Sequence, residues 1–151
     1  MPIRCEIVSQ DRVVFEGDVD IVVAPGEAGE MGILPNHAPL LSILKYGVLK
    51  VRSQGDELDF TISGGLIEVQ PHIVTILADA AENVQEIDVA RAEEAKKRIE
   101  DLLKEGLPPD MDSYLSMEAA LKRSNLRLDA VRRYRKSGQT PHLTGVDKEE
   151  H

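Results

Sequence analysis

The first place in this 151-residue chain to look for phosphate chemistry is the glycine-rich stretch Gly26-Glu-Ala-Gly-Glu-Met-Gly32. A phosphate loop ends in Gly-Lys-Ser/Thr and opens a helix. This stretch does neither, so it reads as a turn-rich loop whose glycines supply positive φ. No serine–histidine–carboxylate arrangement is readable around His37. His37, His72, His142 and His151 also lack the spacing of metal ligands. Two pairs of charged residues are better placed. Asp88 precedes a helical pattern, where a short carboxylate can accept from an early backbone N–H, and Arg91 follows one turn later. Arg123 and Arg127 are four apart and share a helix face.

The elements that must carry these residues fall into two kinds. As far as about residue 86 the pattern is β. Ile3, Cys5 and Ile7 alternate with Arg4, Glu6 and Val8, and Leu58, Phe60 and Ile62 alternate with Asp59, Thr61 and Ser63. Further β-branched runs stand at 13–15, 19–23, 48–51, 66–69 and 73–77. Between the runs, Gly17-Asp18, Gly26, Gly29, Gly55-Asp56, Gly64-Gly65 and Pro71 read as turns. Many short, regularly spaced strands predict an antiparallel β-sandwich or flattened barrel over 1–86. Composition then shifts to Ala, Glu, Lys, Arg and Leu. Val89, Ala92, Ala95, Ile99 and Leu102 predict one helix over 89–104. Gly106 and Pro108-Pro109 predict a connector over 105–114, and a second helix is expected over 116–136, capped by Ser116. Small alanines on both helices suit a close antiparallel hairpin, making 87–136 a second unit. The polar segment 137–151 is expected to be a disordered tail.

Composition narrows the function. A net charge of −9 argues against a general nucleic-acid binder. Cys5 is the only cysteine, so no internal disulfide forms. Met1-Pro2-Ile3-Arg4 leads straight into a strand pattern, and no signal peptide is expected. No run of about 18 apolar residues exists, so no direct membrane insertion is expected. Against this acidic background, residues 117–136 are densely basic (Lys122, Arg123, Arg127, Arg132, Arg133, Arg135, Lys136). Such a run is either a solvated helix face or a docking surface for an acidic partner, and its density favours docking.

Three segments, in order, resemble the ε subunits of bacterial F-type ATP synthases: Gly26-Glu-Ala-Gly-Glu-Met-Gly-Ile-Leu-Pro-Asn-His-Ala-Pro-Leu-Leu41; Ser63-Gly-Gly-Leu-Ile-Glu-Val69 with Val74-Thr-Ile-Leu-Ala-Asp79; and Ile87-Asp88-Val-Ala-Arg91-Ala92. The resemblance covers residues 1 to about 136. It implies a non-catalytic subunit of the central stalk, bound to the γ subunit and to the ring of c subunits. The subunit would be peripheral, at the cytoplasmic face of the bacterial cell membrane. The hairpin would lie folded on the sandwich or extend toward the α/β catalytic ring, where it resists ATP hydrolysis. Glu30 and His37 match family positions on the rotor-facing surface. Arg132, Arg133 and Arg135 would meet the acidic region of α/β.

The resemblance also implies a regulatory ATP site, with no cofactor otherwise required. Some family members bind ATP where the folded hairpin meets the sandwich, through a motif matched here by Ile87, Asp88, Arg91 and Ala92. Arg123, Arg127 and Glu82 match further positions of that site. Forked guanidinium donors suit phosphate, and carboxylates can accept from adenine or ribose. Two readings of Asp88 and Arg91 therefore stand: helix cap with surface charge, or nucleotide ligands. The connector with Pro108-Pro109 is longer than is usual in the family. A free-standing ATP-sensing module is the rival function, and an enzyme stands behind both.

Overall fold

The computed structural model describes residues 1–135. Eight strands, a 3-10 turn and two helices follow in order: β1 (Ile3–Val8), β2 (Val13–Val19), β3 (Ile21–Gly26), β4 (Gly29–Ile33), β5 (Leu40–Ser53), β6 (Asp56–Gln70), β7 (Ile73–Ala78), β8 (Ala81–Asn83), the turn Val84–Glu86, α1 (Val89–Lys104) and α2 (Met111–Tyr134). The strands run β2-β1-β7-β6-β5-β3-β4, with β8 also on β6. All pairings are antiparallel except β1 with β7. β5 and β6 are long enough to serve both layers of the sandwich.

Between the layers, the alternating residues of the strands form an aliphatic core. Ile3, Ile7, Leu49, Phe60, Ile62, Ile67 and Ile76 are fully enclosed. Phe15 and Phe60 are its aromatic pair, with ring centroids 5.7 Å apart. Cys5 is enclosed as well, and burial, which disfavours the thiolate, pushes its thiol up to about 12.

Several boundaries differ from the sequence expectation. Gly17-Asp18 lies inside β2, which runs on to Val19, and the chain turns at Asp20. Gly26–Gly32 belongs mostly to the β3–β4 hairpin, and within it only Gly29 has positive φ (140°). Gly64-Gly65 does not end a strand. Both residues have positive φ (86° and 140°), and they bend β6 while its pairing to β5 continues. The β5–β6 turn uses Gln54 and Gly55, both at positive φ, as a two-residue hairpin of this twist requires.

α1 has the bounds its apolar spacing predicts, capped by Asp88 Oδ1, which accepts from Arg91 N at 3.1 Å. α2 begins five residues earlier than expected. Asp110, not Ser116, is its cap, accepting from Ser113 N at 2.9 Å. Those bonds to the carboxylate hold the Asp110 carboxyl below its usual range. The connector shortens accordingly to 105–110, with Gly106 at φ 126° closing α1. The expected tail and Lys136 lie outside the described residues.

Candidate functional site: the hairpin dock and an apolar row

β6 is buried on both faces over Leu58–Ser63. Leu58, Phe60 and Ile62 enter the core, while Asp59, Thr61 and Ser63 point outward. These three are nevertheless only 6%, 2% and 4% exposed. The cover is α2, which packs on β5, β6 and the 3-10 turn. Two cation–π contacts show its path. Lys122 Nζ lies 4.4 Å from the ring centroid of Tyr46, and Lys50 Nζ lies 4.9 Å from that of Tyr134. Tyr46 pairs with Ser63 and Lys50 with Asp59 across the two strands, so α2 runs along both.

Polar contacts hold the lower end of the hairpin. Arg127 grips Glu82 with two nitrogens: Nη2 donates to Oε2 at 3.2 Å, and Nε makes an off-axis ion-pair contact with Oε1 at 2.6 Å. Their side chains are 19% and 36% exposed, so water screens this pair less than an ordinary surface pair. Arg135, just past α2, sends Nη2 to the carbonyls of Val84 and Ile87 at 2.6 and 2.7 Å. Gln85 Nε2 donates to Tyr134 O at 3.4 Å.

An open groove of about 630 Å³ lies where the two units meet. Glu82, Asp88, Arg91 and Arg127 line it, so four of the five sequence candidates converge. Arg123 is exposed and does not line it. Glu86, Glu94 and Arg98 do, and the sequence reading did not name them. The available signal was the spacing Arg91, Glu94, Ala95, Arg98, which is one face of α1. The groove therefore offers three guanidinium groups for an anion and several carboxylates for polar donors.

The remaining candidates are dispersed. Glu30 is exposed and shares a groove of about 310 Å³ with Lys45 and Arg133. His37 is half-buried after Asn36, whose φ is 64°, and its Nδ1 lies 2.7 Å from Ala38 O. Arg132 is exposed and paired with Asp129, one helical turn back. Among the described residues no cluster of His, Cys, Asp or Glu has the arrangement of a metal site.

A second surface was not anticipated. Val13, Val8, Leu77, Leu66 and Ile43 are successive cross-strand partners on β2, β1, β7, β6 and β5. Cross-strand partners share a face, so the five form one row. Val13, Leu77, Leu66 and Ile43 are 42%, 51%, 42% and 52% exposed, and Val8 is half-buried. The row lies beyond the Gly64-Gly65 bend from the hairpin. An apolar stripe this long on a sheet face is unusual unless something covers it.

A β-sandwich followed by a long-helix unit is the layout of a known two-part family. The description "ATP synthase, Delta/Epsilon chain, beta-sandwich domain" matches residues 2–84, and "ATP synthase, Delta/Epsilon chain, long alpha-helix domain" matches 85–132. The chain belongs to the δ/ε chain family of ATP synthases. It is 45% identical to the ATP synthase epsilon chain of Dehalococcoides mccartyi over 137 residues, 91% of this chain and 97% of that one. With the ATP synthase epsilon chain of Xanthomonas campestris the identity is 43%, over 89% of this chain and 96% of the relative. A chain in the Euglena gracilis mitochondrial ATP synthase structure (OSCP/F1/c-ring) superposes with a TM-score of 0.69 at 25% identity, covering 87% of this chain and 81% of that one. One from the Tetrahymena thermophila mitochondrial ATP synthase (central stalk/c-ring) shares the fold, with a TM-score of 0.59 at 16% identity over 87% and 97%.

Proposed function

We propose that this chain is the ε subunit of the central stalk of a bacterial F-type ATP synthase. It joins γ to the c-ring and restrains ATP hydrolysis through its C-terminal hairpin. It is non-catalytic and peripheral, at the cytoplasmic face of the cell membrane. No helix among the described residues is long and apolar enough to cross a membrane. The apolar row is the surface offered to γ, and Glu30 and His37 face the rotor ring. Arg132 and Arg133 meet α/β when the hairpin extends.

One observation carries the regulatory part: the β6 residues that α2 covers are polar, and its apolar contacts are confined to the 3-10 turn and Val48 beside them. A helix bound through an aliphatic core would expose that core on leaving. Departure of α2 uncovers Asp59, Thr61 and Ser63, which water solvates, and breaks contacts that solvent and outside charges can replace. Residues 1–86 and 87–136 are accordingly two units in this reading.

A chain ending at Ile87, which keeps the buried Val84 and Ile87, is expected to stay folded. It should bind γ and support coupled ATP synthesis in a reconstituted complex. ATP hydrolysis should rise several-fold as the hairpin's restraint disappears. Unfolding, or loss of γ binding, would show that the two units share one core.

A regulatory ATP site is the second reading, favoured by the convergence of Glu82, Asp88, Arg91 and Arg127 on one groove. Arg91 is exposed and its side chain lies at the groove wall, so Arg91→Ala tests binding without loosening the Arg127–Glu82 pair. A hydrogen bond to a charged group contributes about 1.5–3 kcal/mol, so calorimetry should show ATP affinity falling roughly tenfold or more. Arg123→Ala reports whether that residue joins when ligand is bound. No heat of binding to the unaltered chain at millimolar ATP reduces these residues to a cap and surface charges.

A further inference from the structure

We propose that Arg135 is the latch that holds the hairpin down, and that it acts against the arginines beside it. The inference rests on the mobile-hairpin reading above and adds a division of labour within the basic run. α2 ends at Tyr134, and Arg135 leaves the helix with extended backbone (φ −74°, ψ 127°), its N–H still bonded to Val131 O. This exit carries the guanidinium away from the exposed Arg132 and Arg133 and toward the 3-10 turn. There one nitrogen donates to two carbonyls, those of Val84 and Ile87.

The two carbonyls belong to the first residue of the 3-10 turn between β8 and α1 and to the residue that caps it. That turn is where the hairpin must pivot if it is to extend. Its two ends are anchored, since Val84 and Ile87 are 0% and 3% exposed. Arg135 therefore ties the far end of α2 to the near end of α1 across the pivot. Gln85, inside the same turn, reaches back to Tyr134 O, and Lys50 lies over the Tyr134 ring, so three sandwich-side groups converge on the last two described residues of the chain. Extension must break this set, whereas Arg132 keeps its partner Asp129 within the helix in any hairpin position.

The sign of each substitution follows. Arg135→Ala weakens the folded state, so more hairpin extends and ATP hydrolysis is inhibited more strongly. Arg132→Ala with Arg133→Ala leaves the folded state intact and weakens docking, so inhibition is relieved. Loss of two charge-assisted bonds should lower the folded-to-extended ratio by about tenfold or more.

The experiment uses the full chain in the reconstituted complex. Spin labels on Asp18→Cys and Glu100→Cys, both exposed, report the separation of sandwich and hairpin. Cys5 is buried and stays unlabelled, and its protection serves as the check that each variant is folded. Arg135→Ala should shift the distance distribution to longer values and lower hydrolysis. Arg135→Lys, which keeps the charge but ends in a shorter side chain that reaches the two carbonyls less well, should fall between. The double variant at Arg132 and Arg133 should raise hydrolysis and shift the distances to shorter values, the opposite direction to Arg135→Ala. If Arg135→Ala leaves distances unchanged, or raises hydrolysis like the double variant, the latch is overturned while the mobile hairpin survives. If the complex carrying the chain ending at Ile87 hydrolyses ATP no faster than the complex carrying the full chain, the mobile-hairpin reading itself falls.

Discussion

Replacing Gly65 by alanine is expected to lower the stability of the sandwich by about 4 kcal/mol, a large part of the roughly 5–15 kcal/mol that holds a domain together. The new methyl would sit 2.3 Å from Leu77 O and 2.8 Å from Ala78 Cα. Both are backbone atoms of the paired strand β7, so no rotamer change removes the clash. The residue also holds φ 140°, which a side chain rarely adopts. Relief requires β6 and β7 to separate at the bend through which one strand serves both layers. Urea unfolding should show the midpoint falling by about 2 M, for a slope of about 2 kcal/mol/M. Gly55→Ala is the comparison. It too has positive φ (87°), but its methyl would meet open space. If Gly65→Ala is no worse than Gly55→Ala, backbone conformation alone explains the glycine and the close strand approach does not.

The second large effect belongs to the apolar row. Leu77→Asp, at the centre of the five residues, should abolish stable association with γ and leave the isolated chain folded. Leu77 is already half in water, so the new carboxylate stays solvated in the free chain. In a covered interface it would lose that solvation with no cation opposite it in the row, which costs several kcal/mol. A loss of at least about 100-fold in affinity follows, roughly 2.7 kcal/mol. Val13→Asp, at the end of the row, should lose less. Binding of a folded Leu77→Asp chain to immobilised γ with unaltered affinity would move the γ surface elsewhere.

What the sequence discloses depends on whether a signal is local. The bounds of α1 are legible because Val89, Ala92, Ala95, Ile99 and Leu102 repeat on one face and Asp88 caps them. The start of α2 is not, because Asp110, Ser113 and Ser116 are all credible caps and Asp-Met-Asp-Ser-Tyr has no apolar period. Gly64-Gly65 reads as a break because glycine composition alone does not separate a bend from an end. The pairing of Gly65 with Leu44 and Ala78 decides it, and those partners are far away in sequence. The same limit hides the apolar row. Each of its residues is an ordinary outward position on its own strand, and only the register across five strands aligns them. Family resemblance brought Glu82 and Arg127 together, and their contact spans 45 residues that no periodicity links. Arg135 was read with its basic neighbours because composition does not mark where a helix lets go.

The parallel pairing of β1 with β7 bears on how the chain is made. β1 can meet β2 as soon as both have left the ribosome, but its other edge waits for Ile73–Leu77, about seventy residues later. At about 5–20 residues per second, that edge stays open for several seconds. During this interval Ile3, Cys5 and Ile7 lack the layer that encloses them, and such non-local closure is the slow kind. When it comes, α1 and α2 have yet to emerge. The hairpin thus emerges only after the strands that receive it.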